Sequence, residues 1–285
     1  MSEFASAIQD LRPTLHRYCA RLMGSVIDGE DVVQDVLAKA LVAAPALEAA
    51  ALKPWLFRVA HNRALDLLRA RNVRAADSID DHDDLVDLSA TDPAEAMMRT
   101  EAVRTAVSRF SELPLTQRAV VILKDVLDES LAEIADLLGL SVDGVKGHLA
   151  RGRAALKAIN TRTEPAAARS SSDDVARYVE MFNRRDWNGL RALLAADVRL
   201  KQSDYPVRTE DANLFFTFYA KSPPRRVAAA WLDGREVIAV YDTSAEEPSH
   251  FMWLEWRDGQ ISFIRDYRYV PYVVTEAELI EAGTR

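Results

Sequence analysis

Polar and basic side chains in residues 54–74 have the types and the spacing to bind nucleic acid. This segment contains five arginines and one aspartate, and Pro54 suits the first position of a helix. Four polar residues are separated by four, four and three positions and so share one helix face: Arg58, Asn62, Asp66 and Arg69. A stripe of this kind can follow a phosphate backbone. A surface helix with ordinary i,i+4 ion pairs is the alternative.

Residues 131–153 predict two helices joined by a tight turn. Gly139 suits the turn, and Ser141 suits the N-cap of the second helix. Four apolar residues are expected on the inner side of the second helix: Val142, Val145, Leu149 and Leu156. The outer side is expected to carry Asp143, Gly144, Gly147, His148 and Arg151, with Lys146 and Lys157 on its flanks. Such a helix can enter a DNA major groove with its first turns toward the bases, and a purely structural helical hairpin is the alternative.

Glycine is unusually frequent in this second helix, at positions 144, 147 and 152. Each glycine costs about 1 kcal/mol in a helix interior. The composition therefore predicts a weakly stable helix that becomes fully ordered on DNA.

Residues 28–41 predict an amphipathic helix with an acidic outer face. Its apolar side is formed by Val32, Val33, Val36, Leu37, Ala40 and Leu41. Asp31, Gln34 and Asp35 are expected to be exposed on the opposite side. Taken alone, these acids are explained as a solvated surface near a helix N-terminus, where the helix dipole favours negative charge.

Aromatic residues are concentrated in the C-terminal part of the chain. Of the 22 aromatic residues, 17 lie after residue 172, among them Trp231, Tyr241, Trp253, Trp256 and Tyr267. The two parts of the chain are therefore built from different kinds of residue.

The elements that position these side chains differ between the two halves. No glycine occurs between Gly29 and Gly139, and the helical spacing of apolar residues there predicts an all-helical half. From about residue 196 short alternating runs predict strands of one antiparallel sheet: 198–200, 227–231, 237–241, 251–256 and 261–267. Asp258 and Gly259 suit a two-residue hairpin turn.

Composition excludes several classes of protein. The chain has 285 residues, of which 49% are apolar and 28% charged, as expected of two or more globular domains. Its single cysteine, Cys19, cannot form an internal disulfide, and no ligand spacing indicates a metal site. The N-terminus lacks a basic start followed by an apolar run, and no 18 consecutive residues are apolar, so a cytoplasmic protein with no membrane segment is expected. The net charge of −8 argues against a protein that coats nucleic acid unaided.

Three motifs in order resemble the extracytoplasmic-function group of bacterial RNA polymerase sigma factors. The first is DGEDVVQDVL from Asp28, the second is the segment from Pro54 to Arg71, and the third is LPLTQR from Leu113 followed by the helix-turn-helix. In that family they bind the β′ clamp helices of the polymerase, melt and read the −10 promoter element, and read the −35 element while docking on the β flap. The acidic face of residues 28–41 is then a polymerase contact.

The resemblance assigns functional roles to three groups of residues. The polymerase-binding residues are Asp31, Gln34 and Asp35. The −10 residues are Lys53, Trp55, Arg58, Asn62 and Arg69, with Val42–Lys53 as the loop that holds flipped bases. The −35 residues are Ser141, Asp143, Lys146, His148, Arg151 and Arg153.

The C-terminal part resembles a different family. The sequences of residues 174–200 and 261–272 resemble the first and last parts of a SnoaL-like cone-shaped α+β domain. In some sigma factors of this group such a domain replaces a separate anti-sigma partner. The resemblance therefore implies regulation in cis, no separate anti-sigma factor and an unidentified small ligand.

Other members of this fold are small enzymes that use Asp or His in an apolar cone. The resemblance therefore makes candidates of four residues, which are His250, Asp266, Tyr241 and Tyr267, in a pocket lined by Trp231, Trp253 and Trp256. Because no acid and base are paired at a spacing visible in the sequence, the core of a curved sheet is the favoured explanation of these aromatics, and no catalytic residue is assigned.

The expected fold is multidomain, with two all-α sigma domains followed by the α+β domain. The expected boundaries are region 2 at 1–76, an acidic linker at 77–95, region 4 at 96–160, a second linker at 161–173 and the SnoaL-like domain at 174–285. The acidic linker is expected to compete with DNA for the basic surfaces. The expected function is promoter-directed initiation without enzymatic activity or cofactor. The alternatives are a helix-turn-helix regulator acting without polymerase and a small-molecule enzyme fused to a DNA-binding module.

Overall fold

The computed structural model describes residues 3–43, 49–75, 93–162, 169–202 and 212–283. The chain divides into two compact units, Met1–Glu164 and Pro165–Arg285. Residues 77–92 of the acidic segment, 44–48 of the expected base-holding loop and 163–168 of the second linker lie outside the described residues. Among the described helices, none is long and apolar enough to cross a membrane.

Three long helices begin the first unit: α1 (Glu3–Met23), α2 (Val26–Ala43) and α3 (Ala49–Ala75). Apolar side chains of α1 and α2 form a shared core in which Leu15, Leu22 and Val36 are fully buried. The crossing of the two helices is unusually close at Gly29, where a Cβ atom would lie 2.5 Å from the backbone N and Cα of Ala20. Glycine is required there because any side chain would meet backbone that cannot rotate away.

Helix α3 begins earlier than its proline suggests. Pro54 lies inside the helix, five residues after Ala49, so the expectation that the helix begins at Pro54 is wrong. Residues 49–52 are alanines and a leucine, which favour helix strongly. The missing N–H of Pro54 leaves the carbonyl of Ala50 without its helical hydrogen bond, in the second turn of the helix.

The remaining helices of this unit form the helix-turn-helix and its support: α4 (Pro93–Arg104), α5 (Leu115–Val121), α6 (Leu131–Leu138) and α7 (Val142–Thr161). A 3₁₀ turn, Val107–Glu112, precedes α5, and a π-helical turn, Ile122–Val126, follows it. Ser130 and Glu133 form a capping box at the start of α6. Gly139 ends α6 with φ +69°, and Ser141 caps α7 by accepting a hydrogen bond from the Gly144 N–H, so the predicted turn and cap are confirmed.

The buried side of α7 differs from the predicted one at two positions. Val145, Leu149 and Leu156 are buried as expected, but Val142 is 40% exposed, and Gly147, which was expected on the outer side, is buried. Val142 is the first helical residue, and it precedes the turns that pack on α5 and α6. Gly152 lies against α5, where a Cβ atom would meet Val121 Cγ2 at 2.6 Å. Gly152 therefore allows α7 to pack closely against α5. The sequence pattern of α7 alone does not indicate this role.

The second unit is an α+β domain. Its helices are α8 (Asp173–Asn183), α9 (Trp187–Ala192), α10 (Ala212–Lys221) and the short α11 (Tyr272–Thr275). Its strands are β1 (Leu194–Gln202), β2 (Arg225–Leu232), β3 (Arg235–Asp242), β4 (His250–Arg257), β5 (Gln260–Asp266) and β6 (Ile280–Glu281). They form one sheet in the order β1-β5-β4-β3-β2-β6.

The sheet is mixed, and the expectation of a purely antiparallel sheet is wrong. β1 runs parallel to β5, with Leu200 opposite Ile264 and Gln202 opposite Asp266. Alternation of apolar residues does not encode strand direction, which is why the sequence did not show this. The Asp258–Gly259 hairpin turn is confirmed, because both residues have positive φ, at +53° and +72°, as a type I′ turn requires.

Alternate residues along each strand face opposite sides of the sheet, and both sides have buried residues. Met252, Leu254 and Ile264 belong to the core that α8, α9 and α10 cover. Phe251 and Ala239 have the opposite parity and are also fully buried. The expected cluster of aromatics is thus divided between the two faces of the sheet.

Candidate functional site

The acidic face of α2 is only partly exposed. Asp35 is 43% exposed in its side chain and pairs with Arg63 of α3 at 2.7 Å, and Asp31 is half-buried. Asp28 is nearly buried and pairs with Arg71 at 2.8 Å. These pairs join α2 to the basic helix α3, and Asp31 and Asp35 are more exposed than Asp28.

Gln34 is buried, and the expectation that it is exposed is wrong. It is 3% exposed, and its Nε2 donates a hydrogen bond to Glu30 Oε1 at 2.6 Å. Glu30 in turn pairs with the buried Arg12 at 2.8 Å. A buried ion pair needs additional hydrogen bonds to offset the loss of hydration, and Gln34 supplies one.

The polar face of α3 is available in part. Asn62 and Arg69 are exposed, and Trp55 is half-buried. Arg69 is 70% exposed in its side chain and lies 4.0 Å from Asp66. These groups form an exposed polar surface with one aromatic ring at its end, which is suited to an unstacked nucleic acid strand.

The two other predicted −10 residues have acidic partners from the helix-turn-helix segment. Lys53 Nζ lies 2.6 Å from Glu129 Oε1, and Arg58 Nη2 lies 2.8 Å from Asp136 Oδ2. Their basic charge is therefore paired within the first unit. The spacing of α3 alone did not indicate these partners, which lie more than 70 residues away in the chain.

The first turns of α7 present the predicted −35 residues. Ser141, Asp143 and Lys146 are exposed, and Lys146 pairs with Asp143 at 3.1 Å. Arg151 Nη2 lies 3.3 Å from His148 Nδ1. The structure places these five residues at the N-cap and in the first turns of α7, within about three turns of helix.

Arg153 is held inside the domain. Its Nε and Nη2 donate hydrogen bonds to Asp125 Oδ2 at 2.9 Å and Oδ1 at 2.6 Å, and its side chain is 14% exposed. The fully buried Asp125 carboxylate is satisfied in this bidentate geometry. Arg153 therefore fixes α7 to the π-helical turn rather than facing DNA.

Arg118 is a structural residue that its motif did not reveal. Its guanidinium donates hydrogen bonds to three backbone carbonyls, those of Leu22 at 2.8 Å, Ser111 at 2.6 Å and Leu113 at 2.9 Å. Burial lowers the pKa of Arg118 to about 10. This residue connects the end of α1 to the segment that precedes α5. In the sequence, only its place in the LPLTQR motif indicated that Arg118 has a role.

The four expected pocket residues are not brought together. Trp231 is opposite Glu236 in the sheet and lies on the same face as Ile238, and it contacts Arg169 with 5.1 Å between guanidinium and ring. Tyr241 and Trp253 have the opposite parity, and Tyr241 donates a hydrogen bond to Glu281 at 2.6 Å. Tyr267 packs on Phe251 of that second face, with 4.5 Å between ring centroids.

A buried polar cluster occupies the helix-covered face instead. His250 is 4% exposed, its Nε2 lies 3.0 Å from the Tyr219 hydroxyl and 3.6 Å from Asp266 Oδ1, and its Nδ1 lies 3.0 Å from Ser249 Oγ. Arg268 pairs with the other oxygen of Asp266. Burial lowers the pKa of His250 to about 4, so the imidazole is neutral near pH 7. The acid and base that sequence spacing could not pair are thus neighbours, because Met252 is opposite Asp266 in the sheet and His250 lies two residues from Met252.

Several atoms around Asp266 have no hydrogen-bond partner. They are Tyr178 Oη, Gln202 Oε1 and Arg268 Nη2, all buried. Gln202 is opposite Asp266 in the sheet, and the charges of Asp266 and Arg268 influence the Tyr178 hydroxyl. The cluster has donors and acceptors for proton transfer, and no group of His, Cys, Asp and Glu that could hold a metal ion occurs in the described ranges.

Comparisons with known proteins identify the first unit. Residues 7–74 match the family description "Sigma-70 region 2", and residues 104–156 match "Sigma-70, region 4". The chain is 27% identical over 271 residues to the ECF RNA polymerase sigma factor SigG of Mycobacterium tuberculosis, covering 84% of this chain and 73% of SigG. It is 33% identical over 140 residues to the RNA polymerase sigma factor CnrH of Cupriavidus metallidurans, covering 46% of this chain and 73% of CnrH. A solved structure of the sigma factor RpoE of Bartonella quintana in complex with the anti-sigma factor NepR matches with a TM-score of 0.43 and 21% identity, covering 57% of this chain and 100% of RpoE.

A helical promoter-reading protein with both sigma-70 regions in order is an RNA polymerase specificity factor. This chain belongs to the ECF sigma factors. It binds core RNA polymerase and promoter DNA and directs transcription initiation, and it is not an enzyme. The two alternatives, a regulator acting without polymerase and a fused enzyme, are not favoured, because neither uses the region 2 match.

Proposed function

We propose that three helices of the first unit each make one of the contacts required for transcription initiation. Asp31 and Asp35 of α2 contact the β′ clamp helices, α3 binds the −10 strand, and α7 reads the −35 duplex while its domain docks on the β flap. The observation that carries the DNA assignment is the capped helix-turn-helix. Gly139 ends α6, Ser141 caps α7, and the side chains of Ser141, Asp143 and Lys146 are exposed at the start of α7.

The −10 contact is proposed for five residues of α3, which are Lys53, Trp55, Arg58, Asn62 and Arg69. An exposed cation such as Arg69 can bind phosphate, and the half-buried Trp55 ring can stack on a base. Binding energy from these contacts offsets the cost of unstacking, which is a few kcal/mol for each flipped base. Strand separation therefore requires no bond chemistry from the protein.

The −35 contact is proposed for Ser141, Asp143, Lys146, His148 and Arg151. Arg153 is removed from the predicted set because its guanidinium is bound to Asp125. Gln34 is removed from the polymerase contact for the same kind of reason, because its amide is buried against Glu30. Both residues instead support the helices that carry the contacts.

The −35 assignment is tested by Lys146→Ala, with Lys157→Ala as the matched control on the same helix. Both lysines are exposed, but Lys157 lies four residues before the end of α7 and Lys146 in its first two turns. We expect Lys146→Ala to lower the affinity of the holoenzyme for −35 duplex DNA by about 10-fold or more, and Lys157→Ala to change it little. Equal losses in the two variants would contradict the proposed reading face.

The polymerase assignment is tested by reversing the charge of Asp31. Asp31→Lys is expected to weaken copurification with core polymerase, since a clamp contact to acids depends on their sign. The control is Asp10→Lys, an exposed acid of α1 with the same charge change. If both variants bind core polymerase as the parent does, α2 is not the contact.

The second unit is proposed to be a SnoaL-like regulatory domain acting in cis in the cytoplasm, where polymerase and promoters are found. Its support is a mixed sheet covered by three helices, with the His250 cluster as the place for an unidentified small ligand. Run-off transcription with the full chain and with a chain ending at Glu164 tests regulation. Identical promoter output from the two proteins would contradict it. The expectation that no separate anti-sigma factor is needed stays a prediction, which copurification from the native host tests.

A further inference from the structure

An exposed acid, Asp143, lies at the start of α7, the helix to which the −35 contact is assigned above. It is the second residue of the helix, and its side chain is 88% exposed. Repulsion by the phosphates makes an acid unfavourable on a helix that approaches DNA. The helix dipole offsets part of this cost, since it favours negative charge at a helix N-terminus. A favourable contact with a base would offset the rest.

The position of Asp143 around α7 allows such a contact. The buried side of the helix is marked by three residues, which are Val145, Leu149 and Leu156. With about 3.6 residues per turn, Asp143 lies nearly opposite them. The positions that follow it on this outward side carry short side chains or none, and they are Gly147, Ala150 and Ala154. Asp143 is therefore the polar side chain at the leading end of the side that faces away from the domain.

The neighbours of Asp143 in the first turn do not duplicate its chemistry. Ser141 Oγ caps the helix by accepting a hydrogen bond from the Gly144 N–H at 3.0 Å. Val142 is apolar, and Gly144 has no side chain. Because the first turns of a recognition helix contact the base edges, the carboxylate of Asp143 is the acceptor that this turn offers to a base.

The charge of Asp143 has a partner that can be exchanged on DNA. Lys146 Nζ lies 3.1 Å from Asp143 Oδ1, and the lysine side chain is 50% exposed. An exposed ion pair of this kind contributes little to stability and is screened by salt. On a duplex, Lys146 can turn to a phosphate while the carboxylate of Asp143 turns to a base edge, so both charged groups keep a partner.

A carboxylate accepts hydrogen bonds and donates none, which restricts the bases that it can select. In the major groove guanine and thymine present acceptors, and adenine presents its N7 acceptor beside the N6 amino group. Cytosine presents the N4 amino donor alone. We propose that Asp143 determines specificity by accepting a hydrogen bond from the N4 amino group of a cytosine in the −35 element. The proposal rests on the assignment of α7 to the −35 duplex.

The test measures base preference in the polymerase holoenzyme formed with the full-length chain. Promoter fragments with every base at each −35 position are bound, and the retained fragments are sequenced. We expect the parent to prefer cytosine at one position and Asp143→Ala to reduce that preference by about 10-fold, with other positions changed less than about 2-fold. Asp143→Asn should move the preference at the same position to adenine, because an amide pairs with adenine N6 and N7. A role in helix stability alone would not change the preference for one base.

Two control variants separate base contact from general charge effects. Asp136→Ala removes the same charge from α6, where the side chain is 77% exposed, and should leave the base preferences unchanged. Lys146→Ala should weaken binding of all sequences about equally, as the loss of a phosphate contact does.

The proposal is overturned if Asp143→Ala keeps the parent's preference at every position, or if the preference that it loses is for a base other than cytosine. Failure of the −35 assignment itself has a different signature. In that case Lys146→Ala and Lys157→Ala change the affinity for −35 duplex DNA equally, whatever base is present.

Discussion

Two glycines of α7 should respond in opposite directions to the same substitution. At Gly152 an added Cβ would lie 2.6 Å from Val121 Cγ2 and 3.2 Å from the backbone oxygen of Gln117. At Gly147 the nearest atom is the flexible end of Arg151, at 3.5 Å. Both sites lie inside one helix, so alanine gains the same helix propensity at each, and only the packing differs.

The expected magnitudes follow from these distances. Alanine gains about 1 kcal/mol over glycine in a helix interior. Overpacking costs about 1–3 kcal/mol, and the upper end applies at Gly152 because the Gln117 carbonyl is backbone and cannot rotate. Gly152→Ala should therefore lower the free energy of unfolding by about 2 kcal/mol, and Gly147→Ala should raise it by about 1 kcal/mol.

Thermal unfolding followed by far-ultraviolet circular dichroism measures the difference. For a unit of 164 residues we expect the Tm of the first unit to fall by about 4–8 °C in Gly152→Ala and to rise by about 2–4 °C in Gly147→Ala. If both variants shift in the same direction by similar amounts, the packing argument is refuted. The glycines would then act only through helix propensity, as the pattern of α7 alone predicts.

Two further substitutions test buried sites. Gly29→Ala should lower the Tm of the first unit by about 4 °C or more, because the new Cβ meets the Ala20 backbone at 2.5 Å, and stability equal to the parent's would contradict the close crossing of α1 and α2. In the second unit, burial lowers the pKa of His250 to about 4, below the value of about 6.5 in the unfolded chain. As the pH falls, His250 is therefore protonated in the unfolded state before the folded state. The free energy of unfolding then decreases between about pH 6.5 and 4, by roughly 2 kcal/mol at pH 5. Tryptophan fluorescence follows this unfolding, since four of the five tryptophans lie in this unit, and His250→Gln with an undiminished acid slope would refute the assignment.

Local features were predictable from the sequence because their causes lie within a few residues. Gly139 and Ser141 define the turn and cap of the helix-turn-helix, and Asp258–Gly259 defines a hairpin. Each depends on backbone conformation or on a hydrogen bond three residues away. The order of the three sigma motifs is also a property of the sequence alone.

Features that depend on distant partners were not predictable. Arg153 was assigned to DNA from its place on α7, but Asp125, 28 residues earlier, holds it. Gln34 follows the exposed side of an ideal helix, yet Glu30 and the neighbouring α1 bury it. A helical wheel shows which residues share a face but not which faces meet another element.

The sequence by itself determined that this chain is an ECF sigma factor and which helices carry its motifs, because motif order and helix periodicity are written along the chain. Only the tertiary structure decided which of those side chains have distant partners. Arg69 lies 4.0 Å from Asp66 of its own helix, whereas Arg58 is paired with Asp136 of α6, although the two arginines occupy the same face of α3. The physical reason is that an ion pair depends on the distance between two charges in space, and that distance is set by the packing of α6 on α3 rather than by the spacing within either helix.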